Sequence, residues 1–230
     1  MNVFDERVAD RYDRYCETEI GQYVDRVERD LLWRLLALRP GLRVVDLGCG
    51  TGAYTVRMAD AGCRLVGVDR SRAMLSVARA KPLAAGGGAV CPAWMEADVT
   101  QLPIPDGQFD RGLVHVALEF VENPARALQE AARVIAPGGR LVVGLILASG
   151  PWAEYYQIRG RSDAQSVWHH ARFFDPETLA QWMGRPADVM RCGLWASPVG
   201  WPGATAAAAI EDDGPQSGAR PGFAALLWQC

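Results

Sequence analysis

A chain of 230 residues, half hydrophobic and 22% charged, has enough apolar material for a full core, and its net charge of −3 leaves no overall basic field for nucleic acid. Residues 1–10 carry acids and no apolar segment, so no signal peptide is read there, and the longest apolar run, 141–148, is too short to span a bilayer. The six cysteines, at 16, 49, 63, 91, 192 and 230, include no CxxC pair; they suggest no metal site and read as reduced packing residues of a cytoplasmic protein.

Phe4, Val8, Tyr12 and Tyr15 recur at helical spacing, Gly21 interrupts, and Val24, Val27, Leu31 and Leu35 resume until Pro40-Gly41. Two helices are therefore predicted ahead of the first strand. Val44-Val45-Asp46-Leu47 is a short strand that runs into Gly48-Cys49-Gly50-Thr51-Gly52, and a helix follows over about 53–61. Leu65-Val66-Gly67-Val68 is a second strand ending at Asp69, and Ser71 can cap the next helix, which carries Met74, Leu75 and Ala78. This is the βαβ grammar of a parallel sheet.

Residues 84–90 read as a Gly/Ala-rich loop, 94–97 as a third strand before Asp98, and 109–116 as a fourth. Pro124 opens a helix reaching about residue 135, and Pro137-Gly138-Gly139 turns into a fifth strand over 140–147. The stretch 149–183 is dense in aromatics, His and Arg and reads as an insert over the sheet. Residues 188–196 are a candidate sixth strand, 201–221 a long surface loop, and 223–229 a closing strand. Glu119 and Glu122 read as solvated residues after strand four.

The chemistry concentrates in 46–52. A strand ends, the chain turns on glycines, and a helix begins with its N–H groups pointing outward, where backbone can approach a ligand closely. Asp69, ending the next strand, is placed to accept both hydroxyls of a ribose. Gly48, Gly50 and Ala53 also fit the dinucleotide fingerprint, which keeps an NAD-dependent oxidoreductase in view. Against it stands Asp46, just before the loop, where a carboxylate repels a pyrophosphate and tolerates an amino or sulfonium group.

The run 44–52, Asp69, Ala97-Asp98, Phe109-Asp110 and Pro137-Gly138-Gly139 resembles the class I S-adenosylmethionine-dependent methyltransferases, within them the small-molecule group typified by ubiquinone/menaquinone C-methyltransferase-like enzymes. The resemblance covers roughly 31–147. It implies an α/β, Rossmann-like, doubly wound, seven-stranded, mostly parallel sheet with the last strand antiparallel, with N-terminal helices and a lid insert. One methyltransferase domain would span 1–230: a helical cover (1–40), a cofactor-binding core (41–148), a substrate lid (149–186) and C-terminal strands (187–230).

By the same resemblance, Asp46 and the loop Gly48, Cys49, Gly50 and Gly52 would hold the methionine end of S-adenosylmethionine, which leaves as S-adenosylhomocysteine. Asp69 would take the ribose, Arg70 and Met74 would lie beside the adenine, and Asp98 with Val99 would meet its amino group. His115 would contact the methionine moiety or the reacting methyl, and Tyr12 and Tyr15 would line the site from the cover. The sequence departs from the family after strand four, where Ala117-Leu118-Glu119-Phe120 replaces paired histidines or similar signatures.

His115, His169 and His170 are the candidate general bases. Trp152, Tyr155, Tyr156, Arg159, Arg172 and Phe173 are the candidate acceptor-binding residues. The expected acceptor is a small molecule, with no nucleic-acid or membrane partner, on a monomer or homodimer. A non-catalytic S-adenosylmethionine-binding module is the remaining alternative.

Overall fold

The computed structural model describes residues 3–83, 90–163 and 165–230; most of the predicted loop at 84–90 lies outside them. Helix α1 (Glu6–Tyr12) starts where the Asp5 carboxylate accepts from the Val8 N–H at 3.0 Å. A 3-10 turn (Asp13–Glu17) follows, and then α2 (Glu19–Leu36), capped by Thr18. The break falls at Thr18 rather than at Gly21, which lies inside α2. A Cβ at Gly21 would stand 1.8 Å from the Tyr15 carbonyl oxygen, so this glycine lets the two helical pieces touch.

The sheet is built from β1 (Arg43–Leu47), β2 (Arg64–Asp69), β3 (Ala93–Glu96), β4 (Phe109–His115), β5 (Ile135–Ile146), β6 (Val189–Gly193) and β7 (Phe223–Gln229). Its order is β3-β2-β1-β4-β5-β7-β6; β1 to β5 pair in parallel, and β7 runs antiparallel to both of its neighbours. This is the doubly wound, seven-stranded arrangement expected, with the last strand reversed.

Between the strands lie α3 (Ala53–Asp60), α4 (Arg72–Ala80) and α5 (Pro124–Arg133), and after β5 come α6 (Pro151–Ser162) and α7 (Pro176–Met183). Strand residues alternate between two apolar layers. Val44, Leu113, Val142 and Phe223 face α2, α3 and α6; Val45, Val114, Val143 and Trp228 face α5 and α7. Only the first part of the 149–183 insert therefore lies on the cover side. Leu179 of α7 is fully buried in the opposite layer.

The expected loop at 201–221 contains α8 (Ala204–Asp213). Its Ala-rich run has high intrinsic helix propensity, and Glu211 anchors it by accepting from the Tyr23 hydroxyl at 2.5 Å and the Trp195 N–H at 3.0 Å.

Candidate functional site

Parallel strands deliver their C-terminal ends to one edge of the sheet, and that edge forms one wall of a cavity of about 530 Å³. Sheet order fixes the sequence of groups along it. Val99 follows β3, Asp69 ends β2, Asp46 and the glycine loop leave β1, His115 ends β4 and Ile146 ends β5. The opposite wall comes from 3–16, from α2 and from the segment 156–168.

The glycine loop is shaped by its backbone. Gly48, Gly50 and Gly52 all have positive φ, at 74°, 53° and 75°. A Cβ on Gly50 would meet nothing within 4 Å, so this residue fronts open space in the cavity. A Cβ on Gly52 would come within 2.5 Å of Trp94 and 2.9 Å of Ala78. Gly52 therefore serves helix packing and does not line the cavity as expected. Val116 also holds positive φ, at 46°, an uncommon state for a β-branched residue and one that falls directly on the cavity wall.

Asp46 and Asp69 are buried on this edge, and neither makes an ion pair among the described residues. Asp46 accepts from the Thr55 hydroxyl at 2.5 Å, and burial pushes its carboxyl up to about 6. Asp69 accepts from the Gly50 and Ser71 N–H groups, both at 2.8 Å, and burial raises it in spite of those bonds. Two buried carboxylates without a direct ion pair leave room for a ligand that brings positive charge, and Asp46, just before the loop, would repel a pyrophosphate.

Three elements meet at the β4 end. His115 Nε2 lies 2.9 Å from Glu28 Oε2 of α2, and the Tyr54 ring of α3 is centred 4.4 Å from the imidazole. The Tyr54 hydroxyl is buried, with no partner among the described residues. Burial pushes the His115 imidazole down, but the Glu28 hydrogen bond and the charges of Glu28, Asp46 and Glu119 outweigh it and leave it raised. Glu119 is fully buried, against the expectation of a solvated residue. Its Oε1 accepts from the Ile146 N–H at 3.1 Å, its Oε2 has no partner among the described residues, and burial lifts it to about 7.

Polar latches tie the cover down. Ser71 Oγ donates to the Phe4 carbonyl at 2.6 Å, Thr51 Oγ1 donates to Asp13 at 2.6 Å, and Lys81 pairs with the same carboxylate. The Tyr15 and Tyr156 hydroxyls meet at 3.2 Å, Tyr156 stacks on Trp168 at 3.9 Å, and Phe4 meets Phe120 edge-on at 5.0 Å.

The cavity thus brings together Tyr12, Tyr15, Asp46, Gly48, Cys49, Gly50, Asp69, Arg70, Met74, Val99, His115, Tyr156 and Arg159 of the expected residues. Asp98 does not line it. Asp98 belongs to an adjoining depression with Arg70 and Val99, and its Oδ1 accepts from the Thr100 N–H at 2.8 Å. His169 and His170 are exposed outside it, with His169 Nδ1 on the Gly160 carbonyl at 3.1 Å. Trp152 is a core residue, fully buried, its indole N–H on the Ala196 carbonyl at 3.0 Å. Arg172 donates to the Val121 and Glu122 carbonyls and stitches the insert to the segment after β4. Tyr155 and Phe173 pack behind the wall, against the layer that holds Trp152.

Glu28, Tyr54, Thr51, Phe120 and Trp168 line the cavity without having been singled out. Glu28 did carry a signal. It occupies the buried stripe Gly21, Val24, Glu28, Leu32, Leu35 of α2, where a lone acid is out of place. Among the described residues, no group of three or more His, Cys, Asp or Glu is arranged to hold a metal ion.

A family described as "Methyltransferase domain" matches residues 45–143, the stretch from β1 into β5. The chain is 35% identical over 159 residues to a demethylmenaquinone methyltransferase of Beutenbergia cavernae, covering 69% of this chain and 62% of that protein. It is 31% identical over 183 residues to a malonyl-[acyl-carrier protein] O-methyltransferase of Pseudescherichia vulneris, covering 78% of this chain and 66% of that one. The chain thus spans somewhat under two thirds of the length of these curated relatives. In fold it is similar to a Thermotoga maritima structure described as an S-adenosylmethionine-dependent methyltransferase and possible histamine N-methyltransferase. That likeness has a TM-score of 0.70 at 23% identity and covers 98% of this chain and 97% of the other.

Proposed function

We propose, from the premise that residues 45–143 are a methyltransferase-family domain, that this chain binds S-adenosylmethionine along the strand-end cavity and transfers its methyl group to a small-molecule acceptor. The observation that carries the reading is the pair of buried carboxylates, Asp46 and Asp69, that make no direct ion pair among the described residues and flank a glycine loop whose Gly50 fronts open space. Those residues fit a donor with a ribose and a positive centre. Asp69 keeps lone pairs for ribose hydroxyls after binding the Gly50 and Ser71 N–H groups. Asp46 faces the place where an ammonium or sulfonium group is favoured over a phosphate. Met74 and Val99 supply apolar contact toward the β3 end.

The donor supplies an electrophilic methyl group on a sulfonium. The rest of the work is placement. The cover and the wall at 156–168 exclude water, and the strand-end loop holds donor and acceptor in line. Such alignment is worth up to about 7–11 kcal/mol of barrier in favourable systems.

Calorimetric titration with S-adenosylmethionine, S-adenosylhomocysteine and NAD tests the reading. Binding of the first two and not of NAD is expected. A ligand at about 100 times its dissociation constant adds roughly 2.7 kcal/mol of stability, so thermal shift reads the same result. NAD binding in place of the sulfonium compound would overturn the reading.

A further inference from the structure

The β4 end of the cavity holds side chains to which the donor reading above gives no role. Sheet order puts Val99 and Asp69 toward one end, the glycine loop in the middle, and His115 and Ile146 toward the other. There α2 contributes Glu28, α3 contributes Tyr54 and β4 contributes His115, all on the cavity wall. Glu28 and His115 have side chains 7% and 16% exposed. The imidazole spends Nε2 on Glu28, and among the described residues no partner is found for Nδ1. A carboxylate that accepts Nε2–H selects the tautomer whose lone pair is on Nδ1, which is the logic of a base held by an orienting acid. Tyr54 adds a buried hydroxyl with no partner among the described residues, a costly group to keep unless a ligand uses it. The wall beside them is aromatic, with Tyr15, Tyr156 and Trp168.

Resting on the donor reading above, we propose that Glu28 and His115 form a proton-accepting dyad for the methyl acceptor, and that the acceptor is a flat aromatic compound carrying a neutral O–H or N–H, held by the Tyr54 hydroxyl. The acceptor's electron pair forms the bond to the methyl carbon, and the carbon–sulfur bond breaks with its pair onto sulfur. The acceptor's proton passes to His115 Nδ1, giving an imidazolium paired with the Glu28 carboxylate; it returns to solvent after product leaves. His115 is the catalytic residue and Glu28 the positioning one. The groups facing the imidazole are Glu28 from α2, Tyr54 from α3, Asp46 from β1, Glu119 from the 3-10 turn after β4, and the Phe223 ring from β7. The acids among them raise its proton affinity, so the free base, and with it turnover, grows as pH rises past the ordinary imidazole range.

The test has three arms on the full chain. Proton and nitrogen NMR follows the imidazoles, of which there are three, and Glu28→Gln is expected to move the His115 titration to lower pH. Labelled S-adenosylmethionine is offered with catechol, 1-naphthol and imidazole, and with benzoate as an acceptor that has no proton to give. Methylation of one of the first three is expected. With that acceptor, His115→Gln should cut kcat by about 100-fold or more, as loss of a general base does. Glu28→Gln should move the alkaline rise in kcat to lower pH, and Tyr54→Phe should raise the acceptor KM severalfold. All three variants should keep donor affinity within about threefold by calorimetry, well under 1.4 kcal/mol. A purely structural pair would lower melting temperature and leave the pH profile in place. An unmoved His115 titration, or full turnover in His115→Gln, overturns the dyad. Methylation of benzoate alone, or of nothing in the panel, overturns the acceptor class. If the wild type binds no S-adenosylmethionine, the donor reading itself has failed.

Discussion

The two ends of the cavity are built differently. The proposed donor end comes from chain segments that each lie within a few residues of a strand terminus: Asp46 to Gly50, Asp69 to Met74, and Val99. It combines backbone shape with buried carboxylates that make no direct ion pair among the described residues. The proposed acceptor end is assembled from side chains on α2, α3, β4 and the 156–168 segment, far apart in sequence, and its acid Glu28 is paired within the protein. The first kind of site tolerates few changes in the loop backbone. The second tolerates side-chain changes one at a time and can be re-cut for new acceptors on the same donor platform.

The largest expected effect breaks the donor end alone. Gly50→Val places a side chain in the open space before the loop, at φ 53°, which L residues avoid. Calorimetry should find no S-adenosylmethionine binding while far-UV circular dichroism stays native. Retained binding would make the loop merely structural.

Asp69→Asn should cost less. Hydrogen bonds to a charged acceptor are worth about 1.5–3 kcal/mol, so donor affinity should fall roughly ten- to a hundredfold, with acceptor KM little changed. An equal loss at both ends would erase the contrast between them.

The next effect is on stability against pH. Asp46 at about 6 and Glu119 at about 7 both hold their protons more tightly folded than at their ordinary values of 3.8 and 4.5, and His115 is raised as well. Raised groups contribute stability that is fully present below the unfolded pKa and is lost as pH climbs through the folded one. The ligand-free melting temperature should therefore fall from about pH 4.5 to above 7. Glu119→Gln should flatten that slope, gaining about 2–4 °C at pH 8 for each kcal/mol recovered. A curve that rises over this range would contradict the buried state of Glu119.

Tyr15→Phe should have the smallest effect. It removes one hydroxyl contact at 3.2 Å between cover and lid. A net loss of about 0.5–1.5 kcal/mol corresponds to roughly a two- to twelvefold change in donor affinity. A larger loss would mean that Tyr15 touches the ligand directly.

The same contrast explains what is legible in the sequence. Strand, glycine turn, helix and strand-end acid are local patterns, so the sheet order's first half, Asp46, the loop and Asp69 can be read directly. So can β7, whose apolar run closes the sheet. The acceptor end cannot be read that way, because its members share no local pattern. His169, His170 and Arg172 read as site residues by composition, yet an aromatic, basic insert also needs core anchors such as Trp152 and stitches such as Arg172. Glu119 reads as solvated because an acid in a short segment between elements usually is, but tertiary packing encloses it. Asp98 sits at the expected strand end and folds back to cap its own turn. The helix at 204–213 hides in a Gly/Pro/acid-rich stretch whose flanks read as loop.

The cover has a consequence in time. Helix α1 buries only Ala9, so its hold rests largely on the Phe4–Ser71, Asp13–Thr51 and Lys81 contacts and on Tyr15 against Tyr156. Those contacts reach from the β2 edge of the cavity to the wall at 156–168, so on the proposed reading one gate would serve both ligands. On the donor reading, spent cofactor and methylated product then wait on the same opening, and exchange becomes the slow step, as it does in many lidded enzymes. A rapid-quench trace should show a burst in the first turnover followed by a slower steady rate, and Phe4→Ala should raise that steady rate while weakening donor affinity. A trace with no burst would assign the slow step to chemistry.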